Sequence, residues 1–522
     1  MKARPGRFTG IPRTRRRGEL PAASEEMAAT LIRTHSATRG NARRDGAEVS
    51  RRHSRGPGVG PPRGRTTRRK EQTWTTSNAS PTPTGEDAPA AGAHRALKQD
   101  EANQDLLDAV LASDNLARAW KRVKANKGAP GIDGMTITDF PAYARAHWPA
   151  VREQIDQGRY QPQAVRRVEL TKPDGGKRLL GIPVILDRVL QQAIAQVLTP
   201  IFDPTFSDSS FGFRPGRNAH QAIRQVQAYV KDGYRIAVDI DLAKFFDTVN
   251  QDLLMSLLGR TIADKRLLAL IGRYLRAGVL VGEHIEPSEV GTPQGGPLSP
   301  LLANILLHQL DCELARRGHR FARYADDMII LVRSQRAAER VMRSLTRYLE
   351  TSLKLTVNPV KSKVAPMNEC SFLGFTIRGN KIRWTDKALA AFKHRVRELT
   401  GRSWGVSMEH RLHKLEQYVR GWVGYFGISQ YFRPVPELDD WIRRRIRMCY
   451  WKQWRWPRTK IRHLLALGVS LKTAIQHGVS SKSYWHMART PAVQQALSNA
   501  WLKAQGLVSV KDLWCKAQGY AT

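Results

Sequence analysis

The chain has 522 residues and a mass of 58.8 kDa, and 41% of its residues are hydrophobic, which is enough for two to four domains with a sizeable core. Its 85 Lys and Arg residues outnumber its 46 Asp and Glu residues, so the net charge is +39. Such an excess predicts a polyanionic partner, with nucleic acid ahead of an anionic membrane. The sequence has no apolar run near the roughly 20 residues that span a bilayer and no signal-like stretch after its Arg-rich start. We therefore exclude an integral membrane protein and expect no membrane partner.

Four cysteines, Cys312, Cys370, Cys449 and Cys515, are each more than fifty residues from the next. Because no pair has CxxC spacing, the sequence argues against a zinc ribbon, a zinc finger and a cysteine-bound nuclease module. So few cysteines in a long chain indicate a reducing compartment.

Residues 1–95 differ in composition from the rest of the chain. The first 70 residues contain nineteen Lys and Arg against five Asp and Glu, and no periodic apolar face follows them. Such a segment is predicted to be disordered, since burial cannot offset its ordering entropy. It is either an extension from an upstream start codon, with Met27 as a possible true start, or an arm that binds nucleic acid, or an organellar transit peptide.

From about Asp105 to residue 380, short β-rich runs alternate with helical stretches, which predicts an α/β (α+β) architecture. Beyond residue 385 the periodicity is helical, and ten of the thirteen tryptophans lie at or after Trp384. We expect one domain over 96–380, a helical domain over 381–470 and a C-terminal helical segment over 471–522.

Two adjacent carboxylates, Asp326 and Asp327, precede an apolar, β-prone run that ends at Leu331. This pattern predicts a strand that leaves a tight turn, with both carboxylates at its tip. Their mutual repulsion favours a bound divalent cation, and hard oxygen ligands suit Mg²⁺. An ordinary solvated turn is the alternative.

A second acidic strand is predicted over 236–242. Its apolar residues alternate toward one face, so Asp239 and Asp241 share the other face. Two such strands can meet across a sheet and hold two metal ions, which clamp the attacking and leaving oxygens of an in-line displacement. The predicted reaction class is therefore phosphoryl transfer. The spacing does not say whether Asp239 or Asp241 is the ligand.

Seven sequence blocks resemble those of reverse transcriptases and follow one another in the same order. Among the reverse transcriptases, this sequence is most similar to the group II intron-encoded reverse transcriptase/maturase. The blocks include Tyr324-Ala325-Asp326-Asp327, which resembles the YxDD signature, and they lie at 170–183, 211–217, 241–247, 291–300, 324–327, 355–361 and 372–375. The resemblance covers roughly residues 100–500. It implies a right-hand polymerase with fingers and palm, followed by a helical thumb or maturase domain called domain X.

The resemblance also implies roles for individual residues. Asp241, Asp326 and Asp327 match the triad that binds two Mg²⁺ ions, which makes Asp239 a neighbour only. The expected nucleotide-binding residues are Lys172 and Arg178 at the triphosphate, Phe246 under the sugar and Gln294 at the incoming nucleotide, and Arg214 and Lys361 are expected at the template and primer. The alternatives are surface charges for the cations, core packing for Phe246 and a plain tight turn for the glycines of 291–300. Arg178-Leu179-Leu180 departs from the family's usual Arg-Pro-Leu but keeps the cation.

An arginine-rich stretch over 441–456 is interleaved with tryptophans. Guanidinium groups bind phosphates and indole rings stack on bases, so we predict that an exposed helix face there binds RNA. The residues concerned are Arg443, Arg444, Arg445 and Arg447. A solvated face is the alternative. In the family this region contacts intron RNA, and 471–522 is a candidate DNA-binding segment.

The resemblance therefore implies an RNA-directed DNA polymerase that also assists the splicing and mobility (retrohoming) of its group II intron. Its partners would be the intron RNA, an RNA template, a DNA primer or target, and dNTPs, in a bacterial cytoplasm at the nucleoid; the oligomeric state stays open. Many relatives end in an H-N-H endonuclease with paired cysteines, and without these the chain resembles the branch that takes its primer from a nick or replication fork. The alternatives are a splicing cofactor that does not polymerise and a retron-like or defence-type reverse transcriptase.

Overall fold

The computed structural model describes residues 105–171, 177–281, 284–286, 291 and 295–520. Strands and helices alternate as far as Trp384, and every later regular element in the described part of the chain is a helix. This confirms the predicted α/β architecture with a helical C-terminal part. The tail predicted over 1–95 lies outside the described residues.

The N-terminal part contains a four-stranded sheet with the strand order β2 (Lys177–Ile182), β1 (Val165–Thr171), β4 (Val279–Val281) and β5 (His284–Glu286). Strands β1 and β2 form an antiparallel hairpin, and β4 runs parallel to β1. The elements are α1 (Leu106–Leu111), α2 (Ser113–Ala125), α3 (Phe140–Asp156), β1 (Val165–Thr171), β2 (Lys177–Ile182), α4 (Ile185–Phe202), a 3₁₀ turn (Asp203–Thr205), α5 (Ala219–Lys231), β3 (Ile236–Ile240), α6 (Phe245–Thr248), α7 (Gln251–Gly259), α8 (Lys265–Arg276), β4 (Val279–Val281) and β5 (His284–Glu286).

A second four-stranded sheet has the strand order β6 (Arg320–Tyr324), β7 (Asp327–Val332), β3 and β8 (Lys363–Pro366), and all of its pairs are antiparallel. We call it the central sheet. Its remaining elements and their flanking helices are α9 (Ser299–Arg316), β6 (Arg320–Tyr324), β7 (Asp327–Val332), α10 (Gln335–Thr351), β8 (Lys363–Pro366) and a 3₁₀ turn (Met367–Glu369). The pairing of β3 with β7 confirms that the two acidic strands meet across one sheet.

The central sheet separates two hydrophobic cores. Val238 and Ile240 lie in the N-terminal core with the helices of residues 106–357, as the predicted alternation requires. Ala237 and Ile329 point to the opposite face and join the C-terminal core. Because both faces are covered, the chemistry available to this sheet is confined to its ends.

The C-terminal part begins with the hairpin of β9 (Phe375–Arg378) and β10 (Lys381–Trp384), which the expected boundary at 380 divides. Trp422 lies 5.2 Å from Trp384 and 4.4 Å from Phe392, ring centre to ring centre, and so ties the hairpin to two helices. The helices are α11 (Asp386–Leu399), α12 (Met408–Phe426), α13 (Pro434–Gln453), α14 (Pro457–Ala466), α15 (Leu471–Gly478), α16 (Tyr484–Met487), α17 (Pro491–Ala496), α18 (Asn499–Ala504) and α19 (Val510–Ala517). Within the described ranges, no helix is both long enough and apolar enough to cross a membrane.

Candidate active site at the acidic end of the central sheet

The turn between β6 and β7 contains only Ala325 and Asp326, since Tyr324 pairs directly with Asp327. Ala325 has a φ of +59°, a conformation that two-residue hairpin turns require and that is uncommon for residues other than glycine. Asp326 is exposed, and Asp327 is partly exposed at the first position of β7. The structure thus confirms the predicted strand that leaves a tight turn with its carboxylates at the tip.

The strand register brings a third carboxylate to this turn. Ile240 at the end of β3 pairs with Met328 of β7, so the next residues outward are Asp241 and Asp327. Directly opposed residues in antiparallel strands have Cα atoms about 4.5 to 5.5 Å apart. Asp239 instead lies inside the strand opposite Ile329 and is only 9% exposed. Asp241 is therefore the aspartate of this strand that reaches the open end of the sheet.

Asp241 is held by the segment before β8. Its backbone N–H donates to the Ser362 hydroxyl at 3.0 Å, and its carbonyl accepts from the Asn358 N–H at 2.8 Å. Lys361 Nζ lies 3.7 Å from Asp241 Oδ2, and both side chains remain partly exposed, at 27% and 21%. Lys361 therefore lies beside the acidic turn, where a cation and the carboxylates together can contact a phosphate and its counterion.

The carboxylates suit Mg²⁺ in their chemistry, because they offer hard oxygen atoms. Among the described residues, no group of three His, Cys, Asp or Glu side chains is close enough to form a metal site by itself. Mg²⁺ usually keeps several waters and binds one or two carboxylates together with the phosphates of a substrate. The opposed pair of Asp241 and Asp327 fits that mode of binding better than an all-protein cage.

A buried ion pair lies beneath the turn. Arg323, one residue before Tyr324, donates from Nε and Nη2 to the two carboxylate oxygens of Asp311 at 2.7 and 2.5 Å. The side chains of Arg323 and Asp311 are 1% and 0% exposed. Such a two-pronged pair fixes the orientation of both groups. It joins β6 to α9 directly under the acidic turn.

Arg323 uses its remaining donors on the turn itself. Its Nη1 donates to the Ala325 carbonyl at 3.0 Å and to Asn304 Oδ1 at 2.9 Å, and its Nη2 donates to the Ser210 hydroxyl at 2.8 Å. A Cβ added to Gly212 would lie 2.2 Å from the Ala325 nitrogen, so no other residue fits there without moving the turn. Sequence reasoning assigned no role to these residues, although Arg323 and Gly212 stand within or beside the blocks it identified.

The C-terminal helices also reach the acidic turn. Tyr425 of α12 donates its hydroxyl to the Leu373 carbonyl at 2.9 Å, and its own carbonyl lies 2.7 Å from His220 Nε2. Burial raises the pKa of Tyr425 well above its usual range, with smaller contributions from the neighbouring Tyr324 and Asp327. Tyr324, the residue before the turn, packs against the C-terminal core, so the helical part reaches the acidic turn. Composition and periodicity gave no signal for this contact.

Phe246, the expected residue under the sugar, lies in α6 and is half-buried. Its ring meets Phe245 edge-on at 5.1 Å. A Cβ on Gly291 would lie 2.8 Å from the Phe246 carbonyl oxygen, and one on Gly295 would lie 2.3 Å from the Gly181 oxygen. These glycines thus permit close backbone approach, which is more than the plain turn we considered. They bring the 291–300 block between α6 and the end of β2.

Three expected nucleotide-binding residues remain predictions. Lys172 and Gln294 lie outside the described residues. Arg178 is placed only by its backbone, in β2 opposite Leu170.

Arg214, expected at the template or primer, is held inside the protein. Its Nε donates to Asp203 Oδ1 at 2.7 Å, and its other nitrogens donate to the carbonyls of Asp203, Ser207 and Ser210. The side chain is 5% exposed. In the structure Arg214 therefore organises the segment before α5, and its contact with nucleic acid stays a prediction.

The four arginines of α13 do not form the exposed face that we expected. Arg447 is 7% exposed and donates to the Leu497 carbonyl and to Asn499 Oδ1, both at 2.9 Å. Arg444 donates to the Trp485 carbonyl, Arg445 to Thr400, and Arg443 to Asp440. The expectation of exposure was wrong because successive residues of a helix point in different directions and three of these four meet neighbouring helices or loops. Their binding to RNA remains a prediction.

Comparison with known proteins gives two family matches. Residues 170–377 match the family "Reverse transcriptase (RNA-dependent DNA polymerase)", and residues 389–468 match "Group II intron, maturase-specific domain". The first match contains the acidic turn and β3, and the second covers most of α11 to α14. The matches therefore divide the chain near the end of the β9–β10 hairpin.

Individual relatives agree with these matches. The chain is 33% identical over 319 residues to Protein YkfC of Escherichia coli (strain K12), covering 53% of this chain and 83% of that protein. It is 34% identical over 231 residues to the group II intron-encoded protein LtrA of Lactococcus lactis subsp. cremoris, covering 44% of this chain and 38% of LtrA.

Two similar solved structures have TM-scores of 0.32 and 0.36 to this chain. A chain of a partial Cas6-RT-Cas1–Cas2 complex is 27% identical with a TM-score of 0.32, covering 48% of this chain and 43% of that one. A telomerase structure from Candida albicans is 10% identical with a TM-score of 0.36, covering 64% and 68%.

Proposed function

The chain belongs to the group II intron-encoded reverse transcriptases and maturases, and we propose that it synthesises DNA on an RNA template and binds its intron RNA to assist splicing and mobility. The observation that carries the polymerase proposal is the register of β3 and β7, which sets Asp241 opposite Asp327 beside an exposed Asp326. The maturase-specific match argues against a retron-like or defence-type enzyme.

In the proposed reaction, a primer 3′-hydroxyl attacks the α-phosphate of a dNTP and pyrophosphate leaves. Asp241, Asp326 and Asp327 would hold two Mg²⁺ ions, which when bound activate the attacking oxygen and stabilise charge on the leaving oxygen. Lys361, at 3.7 Å from Asp241, would contact the primer–template strand on the same side. The resemblance supports Lys172 and Arg178 at the triphosphate and Gln294 at the nucleotide.

Phe246 would select the sugar of the incoming nucleotide. Phe246 is partly exposed, and its ring packs against Phe245 with 5.1 Å between the ring centres, so the core supports the ring from within. A ring in that position clashes with a ribose 2′-hydroxyl and favours deoxynucleotides. The partner Phe245 is buried and belongs to the N-terminal core.

Primer extension on poly(rA)/oligo(dT) with Mg²⁺ tests the polymerase proposal. We expect oligo(dT) to be extended by the wild type and not by an Asp241→Asn variant, because the amide removes a ligand charge with little change in volume. A wild-type preparation that binds poly(rA)/oligo(dT) but never extends it would favour the alternative of a splicing cofactor without polymerase activity.

The splicing proposal is tested with a precursor RNA that contains the cognate intron. We expect the protein to raise the yield of spliced exons at low Mg²⁺, and the Asp241→Asn variant to do so equally well. The separation is expected because the maturase match lies in α11 to α14, whereas the carboxylates lie at the end of the central sheet. A precursor with an unrelated group II intron is the control.

We propose that both the DNA synthesis and the splicing activity take place in a bacterial cytoplasm, at the nucleoid.

A further inference from the structure

A cavity of about 510 Å³ lies in the C-terminal helical part, between α11, α13 and α16. Its volume is within the range of small-ligand sites, about 300 to 1,000 Å³. Its lining includes three arginines, Arg397, Arg402 and Arg445, and two tryptophans, Trp441 and Trp485. It is remote in sequence from the acidic turn and contains no residue of the proposed polymerase site.

The arginines of the cavity are not neutralised. None of the three forms an ion pair with a described carboxylate, and Arg445 donates only to Thr400 and to the carbonyl of Arg397. The acid nearest in sequence to Arg397 and Arg402, Glu398, is paired with Arg395 and His394. Burial lowers the pKa of Arg445, and the charges of Arg397 and Arg402 add to that effect. An anion in the cavity would relieve this repulsion.

Both tryptophans of the cavity form cation–π contacts with arginines. The Trp441 ring has Arg397 at 5.6 Å and Arg445 at 5.3 Å, measured from the guanidinium carbon to the ring centre. Arg444, which is not part of the lining, stacks on Trp485 at 3.9 Å and donates to its carbonyl at 3.0 Å. The cavity therefore combines indole rings whose positions are fixed by arginine contacts with guanidinium groups that have no carboxylate partner among the described residues.

We propose that this cavity binds one unpaired nucleotide of an RNA, with its phosphate on Arg397, Arg402 and Arg445 and its base against Trp485. The proposal rests on the proposed RNA binding and adds a defined site to it. Guanidinium groups bind phosphate oxygens, and aromatic rings stack on bases that are free of a duplex. An acidic peptide would use the arginines but leave the indoles without a role, so we favour the nucleotide.

The test compares two double variants of equal charge. Arg397→Gln/Arg402→Gln removes two exposed arginines of the cavity, and Arg336→Gln/Arg340→Gln removes two exposed arginines of α10 as the control. The probe is a fluorescent 15-nucleotide single-stranded RNA, titrated at several salt concentrations. We expect the cavity variant to bind about tenfold more weakly, with the log–log salt slope reduced by about 1.4 for two lost contacts to single-stranded RNA. Equal affinities for both variants would overturn the proposal.

Trp485→Leu tests the stacking step separately. One stacked base contributes about 1 to 3 kcal/mol, so we expect at least fivefold weaker binding with an unchanged salt slope. Affinity for a fully paired, blunt-ended RNA duplex of 15 base pairs should not change, since its bases cannot enter the cavity. If the duplex or a poly-glutamate peptide competes as well as the single strand, the cavity is a general anion site and the nucleotide proposal is wrong.

Primer extension separates this proposal from the proposed function. With saturating poly(rA)/oligo(dT), Arg397→Gln/Arg402→Gln should extend at close to the wild-type rate. If both double variants extend normally and bind the single strand equally, the nucleotide site is wrong and the polymerase proposal stands. If the wild type neither extends nor binds RNA, the proposed function itself is wrong.

Discussion

The acidic turn and helix α13 both concentrate charge, but they hold it in opposite ways. At the turn, the carboxylates of the proposed metal site are partly or fully exposed. A buried ion pair, Arg323 with Asp311, supports the turn from beneath. In α13 much of the charge is itself turned inward: Arg447 is 7% exposed, and Arg444 and Arg445 donate to backbone or hydroxyl oxygens.

The two regions differ in the partners of their buried arginines. Arg323 has a carboxylate partner, so the pair adds no net charge to the interior. The α13 arginines donate mainly to neutral acceptors, and among the described residues Arg443 alone of the four forms ion pairs, with Asp439 and Asp440. The acidic turn is thus fixed by a neutral buried network, whereas the C-terminal helices carry a positive charge that a polyanion can compensate.

The largest effect is expected at the tip of the turn. Asp327→Asn should lower DNA synthesis by at least about a hundredfold, because the lost charge acts on the reacting centre. Its free energy of unfolding should change much less than its activity, since the side chain stands at the sheet end. Asp252→Asn, an exposed carboxylate in the first turn of α7, is the matched control and should synthesise normally. Near-normal synthesis by a folded Asp327→Asn protein would remove the metal assignment.

The next effect concerns the buried support. Arg323→Met leaves Asp311 charged and unpaired at 0% exposure, and should cost about 3 to 5 kcal/mol of the free energy of unfolding. The double variant Arg323→Met/Asp311→Leu removes both charges and should recover most of that loss in a urea titration.

Activity distinguishes a positioning role from a structural one in the same double variant. Without Arg323 the Ala325 carbonyl loses the donor that lies 3.0 Å away, so the turn should be less well fixed. We therefore expect the double variant to have a lower kcat than the wild type at saturating dNTP, even though its stability recovers. If kcat returns to the wild-type value together with stability, Arg323 only stabilises the fold.

The two regions were not equally predictable from the sequence. The acidic turn was predictable because its carboxylates are local to two strands, and the period-2 alternation around Val238 and Ile240 held in the structure. The choice of Asp241 needed the resemblance, and the register that supports it depends on pairing between distant segments. The α13 arginines were misjudged because a charge run in one helix does not reveal which neighbours, such as Leu497 and Asn499, will meet it.

A medium effect is expected for the arginine that faces inward. Arg447→Gln should lower the free energy of unfolding by about 2 kcal/mol, because the buried Leu497 carbonyl loses a charged donor. Arg443→Gln, whose side chain is 22% exposed and paired with Asp440, should stay within about 1 kcal/mol of the wild type. Single-stranded RNA affinity should fall no further for Arg447→Gln than for Arg443→Gln. A stable Arg447→Gln protein that has lost RNA affinity would restore the original interpretation of this helix.

The smallest effect concerns a buried carboxylate, Asp187, which forms no ion pair with a cation among the described residues. Asp187 accepts hydrogen bonds from the hydroxyls of Tyr160 at 2.6 Å and Tyr274 at 3.1 Å, and from the Gln163 N–H at 3.1 Å. Burial raises its pKa to about 6, although these hydrogen bonds act against the rise. Asp311, paired with Arg323, shows how a buried carboxylate is held when a cation is present.

The raised pKa of Asp187 sets the sign of a pH effect. An unfolded aspartate has a pKa of about 3.9, so the native state binds this proton more tightly than the unfolded chain does. Its contribution to stability is therefore complete below about pH 4 and is lost as the pH rises through 6. Between pH 5 and pH 7 the wild type should lose about 1 kcal/mol relative to an Asp187→Asn variant, which has no proton to release there. Urea titrations of both proteins at the two pH values measure this difference, and equal changes in the two proteins would show that Asp187 is already ionised at pH 5.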